Sequence, residues 1–488
     1  MHTELSNSML ADQVERKLLF PMLSRGITEK LGFTKLTEAQ LKSLPPMLEK
    51  PHSDVILRAG TGTGKTLSYL VGCAQNSLKK RNPGISSLII VPNRELGVQV
   101  ERQAKSLLNF SNASVLSLLS GTSRSDDIDR LKQVIPEIVI ATPGKLSQHL
   151  KETPAFASLL SATKSLVLDE ADLLLSSGFS KDMSCILAAL PRKKRSILVS
   201  ATISDKFKSA AVRLIRPGYI FLDCEKSSIG TVSESFVISS GYFWFPALVN
   251  AINLEAKLFP FEHKILVFFP TCKSAEFAAE LCTRHLKMPV SCLHGRMTSA
   301  ERNQASSTFR KSRNGLLFTT DVSSRGLDYA DVSLVIQMGA PSCTDTYTHR
   351  IGRTGRGGNS GAALIILHAL EKRVLDRLKR GVKETGEMDN SQDGERNKDL
   401  NSLRPAQLTT AIIKSVPRLR GWESRDVSLL ALAQEAHLSF LTYYDAQARF
   451  LDLDPSDIPK IAGDFVLSSG MSRLPAVPDN RAHKNFQV

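Results

Sequence analysis

Val55-Ile56-Leu57 runs straight into Arg58-Ala59-Gly60-Thr61-Gly62-Thr63-Gly64-Lys65-Thr66, and Leu67-Ser68-Tyr69-Leu70 follows with a helix-like texture. A short apolar strand, a glycine-rich turn ending Gly-Lys-Thr and then a helix make the arrangement that cradles a triphosphate. Glycines let the backbone wrap closely, so that several N–H groups point inward. Lys65 is placed to reach the β- and γ-phosphates, and the Thr66 hydroxyl to ligate Mg²⁺. A chance glycine-rich turn lacks this strand–turn–helix setting. The stretch therefore argues for an α/β fold built on a parallel sheet.

Other apolar runs extend that reading. One series covers residues 55–57, 88–91, 138–140, 166–168 and 197–199; a second covers 265–269, 316–318, 334–336 and 363–366. Runs this apolar fit strands buried on both faces of a parallel sheet, and helix-like stretches between them complete βαβ units. Two series in 488 residues predict two α/β domains, at 15–225 and 240–380, joined near 223–245. Residues 383–403 are polar and read as a loop or linker; 404–475 turn apolar again and read as a helical extension, with a loose tail beyond.

The chain holds 63 Lys+Arg against 48 Asp+Glu, a net charge of +15, which suits a polyanionic partner. Residues 371–488 hold 18 basic and 17 acidic side chains, so 14 of the 15 excess charges lie in residues 1–370. No apolar run is long enough to cross a membrane. The seven cysteines show neither zinc-site nor redox spacing and read as buried thiols of a reducing compartment. The first 30 residues carry Glu4, Asp12, Glu15 and Glu29, unlike a secretory signal or an acid-poor transit peptide.

Further motifs carry chemistry. The 166–168 strand ends in Asp169-Glu170-Ala171-Asp172. In a domain with a phosphate loop, Asp169 is where Mg²⁺ needs a carboxylate, held through water, and Glu170 is placed to polarise the attacking water. Alone, Asp172 reads equally well as a helix-start acid. The next strand ends in Ser200-Ala201-Thr202. In the second series, Thr320-Asp321-Val322-Ser323-Ser324-Arg325-Gly326-Leu327-Asp328 follows a strand, and His349-Arg350-Ile351-Gly352-Arg353-Thr354-Gly355-Arg356 is dense in arginine. Arginines three apart share a face and can approach a γ-phosphate together.

Over roughly residues 15–370 the chain resembles the DEAD-box RNA helicases of helicase superfamily 2. The matches come in order: Gly32-Phe33 with Thr37-Glu38-Ala39-Gln40, the phosphate loop, Pro92-Asn93-Arg94-Glu95-Leu96, Ser120-Gly121, Thr142-Pro143-Gly144-Lys145, then the four motifs above. The resemblance implies two RecA-like domains and an RNA-dependent ATPase acting as a monomer on ATP, Mg²⁺ and RNA. It implies that Gln40 reads adenine, that Phe20 stacks on it and that Asp328 contacts the ribose. Ala59, Gly60, Thr61, Gly62, Thr63, Gly64, Lys65 and Thr66 would hold the phosphates. Arg94, Gly121, Thr142, Gly144, Thr320 and Arg325 would hold the RNA backbone. Arg353 and Arg356 would be arginine fingers, while Asp172, Ser200, Thr202 and His349 would couple nucleotide to RNA.

Some positions depart from the family pattern. Glu38 stands for the usual proline, Asn93 for threonine, Gly97 for alanine, Lys145 for arginine and Ser324 for alanine. These touch RNA-contacting segments more than nucleotide-contacting ones. The C-terminal stretch is similar to the extension of fungal mitochondrial DEAD-box RNA chaperones that assist intron splicing. That similarity implies a mitochondrial matrix location, with the nucleolus as the alternative. The expected activity is local unwinding of short RNA duplexes; an ATP-dependent RNA clamp with little unwinding is the rival. Trp422, near Arg418, Arg420 and Arg425, reads either as a packing residue or as a small RNA-contacting patch.

Overall fold

A computed structural model describes residues 18–33, 35–60, 62–79, 84–175, 180–224, 232–321, 329, 331–355, 360–378, 404–405 and 419–475. The chain divides into two units, Met1–Ile229 and Gly230–Val488.

The first unit is a seven-stranded, wholly parallel sheet. Its strands are β1 (Val55–Arg58), β2 (Ser87–Ile90), β3 (Val115–Leu118), β4 (Ile138–Ala141), β5 (Ser165–Asp169), β6 (Arg195–Ser200) and β7 (Ile220–Asp223), in the order β3-β4-β2-β5-β6-β1-β7. The two-residue period of a strand sends successive side chains to opposite faces. Val55 and Leu57 accordingly join one core cluster, with Leu70 and Val100, while Ile56 joins the other, with Leu88, Leu168 and Leu198. Helices α1 (Glu38–Glu49), α2 (Lys65–Leu78), α3 (Arg94–Leu107), α4 (Arg124–Gln133) and α5 (Pro143–Glu152) cover the sheet. Because every strand runs the same way, the carboxyl ends of β1, β5 and β6 share one edge. That edge carries the phosphate loop, Asp169-Glu170 and Ser200.

The second unit repeats the plan. Strands β8 (Val232–Ser239), β9 (Lys264–Phe268), β10 (Ser291–Leu293), β11 (Gly315–Thr319), β12 (Leu334–Met338), β13 (Gly361–His368) and β14 (Arg404–Pro405) lie parallel, in the order β10-β11-β9-β12-β13-β8-β14. Its helices are α6 (Trp244–Leu258), α7 (Cys272–His285), α8 (Ser299–Lys311), α9 (Thr344–Ile351), α10 (Val427–Leu451) and α11 (Asp457–Ser468).

Two expectations about domain limits need correction. A second domain starting at 240 leaves out β8, which pairs with β13 over eight residues from Val232 to Ser239. The segment from 404 does not open as helix: Arg404 and Pro405 pair with Ser235 and Phe236 as β14. The helices that follow share the core of the second unit. Trp422, Leu429, Phe440, Tyr444, Phe465 and Val466 belong to the same buried cluster as Trp244, Phe245 and Phe277. Phe440 and Phe465 stack with ring centres 4.2 Å apart, and Trp244 meets Phe440 edge-on at 6.0 Å. The expected linker at 383–403 lies outside the described residues. Trp422 is fully buried, lies 5.7 Å from the Phe277 ring and donates its indole N–H to Ser469 O at 2.9 Å. It is a packing residue and offers RNA no exposed ring.

A buried carboxyl ties the extension to the sheet. Glu371, fully buried, accepts from the backbone N–H of Ala340 and His368 and from the Tyr444 hydroxyl, at 2.8, 2.8 and 2.7 Å. Burial pushes its pKa from 4.5 up to about 7, against the pull of these donors. The folded carboxyl thus holds its proton more tightly than the unfolded one. Its contribution to stability is greatest below about pH 4.5 and falls as pH rises through about 7. The expected loss is up to about 3 kcal/mol. In Glu371→Gln, melting temperatures at about pH 6 and about pH 8 should lie closer together than in the wild type. An unchanged gap would show that this carboxyl does not titrate there.

Candidate active site

The helix α2 starts at Lys65, directly after a turn in which Gly62 and Gly64 both sit at φ 81°. Only glycine takes that conformation freely. Gly64 is constrained twice, because a Cβ there would lie 2.2 Å from Gln40 Nε2. Gln40 is buried against the loop: Nε2 donates to Gly64 O at 3.2 Å, and Oε1 accepts from Thr37 N–H at 2.8 Å. The Thr37 hydroxyl donates to Thr63 O at 2.6 Å. The capping box of α1 therefore also braces the phosphate loop. Sequence reasoning missed this role, although the Thr-x-x-Gln spacing of a capping box was there to be read. Gln40 keeps one further N–H and one further lone pair for a base.

Ala59 is fully buried and donates its N–H to Ser200 O at 3.0 Å; Gly60 O accepts from the Thr63 hydroxyl at 3.0 Å. Lys65 Nζ donates to Glu170 Oε1 at 3.0 Å, with both side chains largely buried. Asp169 Oδ2 accepts from the Tyr69 hydroxyl at 2.7 Å, and Oδ1 accepts from Glu170 N–H at 3.0 Å. Burial pushes the Asp169 carboxyl up to about 6; the charge of Lys65 pulls against this and that of Glu170 adds to it. Tyr69 has no motif of its own, but it stands four residues after Lys65 and so shares its helix face. Glu170 sits at φ 52°, in the left-handed region. Such strain in a non-glycine residue clusters at active sites.

Asp172 is more than a helix-start acid. Its carboxylate accepts from Thr202 Oγ1 at 3.1 Å, and Ser200 Oγ donates to Thr202 O at 2.8 Å. The ends of β5 and β6 are thereby joined. Phe20 is half-buried against the core, and its N–H donates to Gln75 Oε1 at 2.9 Å. Gln75 lies ten residues, about 15 Å, along α2 from Lys65.

The same sheet edge carries a second surface. Arg94 Nη1 donates to Ser120 O at 2.8 Å, and Thr142 Oγ1 accepts from Ser120 N–H at 3.2 Å. Gly121 sits at φ 85°. Asn93, in place of the family's threonine, caps α3 by accepting from Leu96 N–H at 2.9 Å. Thr142 leaves the first turn of α5 without a side-chain cap. A helix start without a side-chain cap, beside Arg94 and a glycine turn, suits a phosphate backbone. Gly144 also opens this helix. Two of the family departures have local reasons. A Cβ at Gly97 would lie 2.4 Å from Leu119 Cδ2, so a larger neighbour fills the space. Lys145 Nζ donates to Thr122 O at 2.9 Å and pairs with buried Asp127 at 3.0 Å, steadying the Gly121 turn.

In the second unit, Thr320 is buried just beyond β11. Its neighbour Asp321 holds Arg350 through two bonds, at 2.7 and 3.1 Å, and Arg350 also donates to Gln337 at 3.3 Å. Arg350 is fully buried and lies over the Phe268 ring at 5.4 Å. It joins the Thr320 motif to α9, a role that arginine density alone could not reveal. Arg353 Nε donates to His349 O at 3.3 Å. Thr61, Arg325, Asp328 and Arg356 lie outside the described residues.

Known proteins show the same elements. Residues 37–210 match the DEAD/DEAH box helicase family, and residues 250–358 match the helicase conserved C-terminal domain. DEAD-box ATP-dependent RNA helicase 25 of Arabidopsis thaliana is 32% identical, over 95% of this chain and 79% of that protein. Its namesake in Oryza sativa subsp. japonica is 30% identical, over 97% and 77%. A solved structure of Mss116p bound to ssRNA and AMP-PNP superposes with a TM-score of 0.80 at 26% identity, covering 94% of this chain and 91% of that one. With two parallel-sheet units and the phosphate-loop and DEAD motifs on one edge of the first, the chain belongs to the DEAD-box ATP-dependent RNA helicases.

Proposed function

We propose that the chain binds ATP·Mg²⁺ together with single-stranded RNA, opens short duplexes locally and is reset by hydrolysis to ADP and phosphate. The Lys65–Glu170 ion pair carries this reading. A triphosphate in the loop competes for Lys65, and the carboxylate so released is positioned to polarise water. Asp169 and the Thr66 hydroxyl are the hard oxygen donors that Mg²⁺ selects, and a carboxyl lifted to about 6 by burial is one that a dication returns to its ionised form. The metal would neutralise charge on the β- and γ-phosphates. RNA held along Arg94, Gly121, Thr142 and Gly144 would be gripped by its phosphates and 2′-hydroxyls, so binding would be salt-sensitive and largely sequence-independent. The solved Mss116p complex with ssRNA and AMP-PNP supports the pairing of these ligands.

Strand displacement on a short RNA duplex is the test. Release of the strand in ATP supports unwinding; RNA-stimulated ATPase with no displacement would instead support the clamp. Glu170→Gln keeps shape and removes charge, so ATP and RNA should stay bound together. RNA release in ATP as fast as in the wild type would remove Glu170 from this role. ATP should be preferred over GTP about tenfold to a hundredfold, since a mispaired buried amide costs about 1–3 kcal/mol. Mss116 has been solved with UDP-BeF, so the preference expected here is a ratio and not an exclusion. Equal turnover of GTP would leave Gln40 only its loop-bracing role. An RNA-chaperone role in the mitochondrial matrix rests on the extension's similarity to the fungal proteins, and organelle fractionation separates it from a nucleolar one.

A further inference from the structure

The opposite edge of the first sheet holds a cavity of about 540 Å³ lined by Pro51, His52, Asn76, Lys79, Lys164, Lys193, Lys194, Arg195 and Arg216. These residues converge because the strands are parallel. His52 precedes β1, Lys164 precedes β5, Lys193 and Lys194 precede β6, Arg216 precedes β7, and Lys79 follows α2. At about 3.3 Å per residue, the strands separate this cavity from the phosphate loop by about 15–20 Å.

Two of the cations are fixed scaffold. Arg195 donates to Ser53 O at 2.8 Å and to Met47 O at 3.1 Å. Arg216 pairs with Asp54 at 2.7 Å and donates to His52 O at 2.8 Å. Lys194 donates to Pro191 O at 3.1 Å, and partial burial holds its pKa below the ordinary lysine value, against the pull of Asp54. Among the described residues, the exposed Lys79, Lys164 and Lys193 have no ion-pair partner. Among the described residues, the lining holds six Lys+Arg and no acid, and the nearby Asp54 is already engaged by Arg216 and by Ser196 N–H. Residues 1–229 hold 31 Lys+Arg and 21 Asp+Glu, an excess of ten, and six of those basic residues line this cavity.

We propose that this cavity is a second RNA-backbone site, distinct from the one at the carboxyl edge. The proposal rests on reading the chain as an RNA-binding ATPase. Like charges gathered with too few counterions are stabilised by an anion, and each phosphate neutralised releases a condensed counterion. Among the described residues, the lining contains no Phe, Tyr or Trp on which a base could stack, which favours phosphate contact over base reading. A polyanion already engaged at the carboxyl edge would reach this edge with a flanking arm, so the site acts as a tether for longer RNA.

The triple variant Lys79→Gln, Lys164→Gln, Lys193→Gln changes exposed residues outside the catalytic machinery. Two RNAs serve as probes: a strand just long enough to fill the carboxyl-edge site, and the same strand with a long extension. On the short strand, affinity and RNA-stimulated ATPase should match the wild type. On the extended strand, affinity should fall about tenfold, and the slope of log K against log salt should drop by about 2, at ~0.7 per lost contact. The Lys→Arg triple variant should restore both. Equal affinity and slope on the extended strand would overturn the proposal. So would weaker binding of inorganic polyphosphate or an acidic peptide with RNA affinity unchanged, which would assign the cavity to those ligands. If the wild type itself shows no RNA-stimulated ATPase, the fault lies in the primary reading and not in this site.

Discussion

Truncation after residue 403 should leave the second unit unable to fold. The cut removes Trp422, Phe440, Tyr444 and Phe465 from a cluster shared with Trp244, Phe245 and Phe277. Each such side chain contributes about 1.5–3 kcal/mol on burial, so the loss rivals the whole 5–15 kcal/mol by which a domain is stable. The cut also strips Tyr444 from Glu371, leaving a buried carboxyl short of one donor. The truncated protein should be largely insoluble, and any soluble fraction should lack RNA-stimulated ATPase on every substrate. The milder Phe440→Ala should keep the fold and cost about 3–5 kcal/mol in a melt. A soluble truncated protein that keeps its ATPase on short strands and fails only on structured RNA would instead make the extension a tether.

Lys65→Ala should reduce ATP turnover by at least about a hundredfold, the scale seen when one preorganised electrostatic contact is removed. ATP binding should weaken as well, since the β- and γ-phosphates lose the cation that the loop supplies. A stability cost accompanies this, which a simple cleft-facing lysine would not bring. Lys65 is 7% exposed and its partner Glu170 only 2%. Without the lysine, the buried Glu170 carboxylate loses this hydrogen bond, at a cost of about 1–3 kcal/mol. Steady-state ATPase and a thermal melt check both parts. Turnover like the wild type's would overturn the phosphate-loop assignment.

The nine central strands were legible because burial on both faces writes an unbroken apolar run, such as Ile138-Val139-Ile140. The strands that escaped were β3, β7, β8, β10 and β14. Strand β7, at the sheet edge, alternates between half-buried and exposed positions over Ile-Phe-Leu-Asp, and β8 mixes Ser and Glu with Val and Ile. Pairing in space, not composition, makes these segments strands. The phosphate loop was legible because its chemistry needs contiguous residues. The Asp321–Arg350 clamp was not, since its partners stand 29 residues apart and both sit in motifs that suggested other roles. Helical texture in 427–451 was visible, but an apolar stripe does not name the surface it covers.

The placement of β14 bears on solubility. An open parallel sheet ends in a row of unpaired amides and carbonyls that can recruit another chain. Among the described residues, that side of the second sheet is occupied by β14, whose Pro405 carries no amide hydrogen. Proline has no amide hydrogen to give to a ladder, which is why it is found on edge strands and at strand ends. Proline on an edge strand is one of the devices by which sheets resist pairing with another chain.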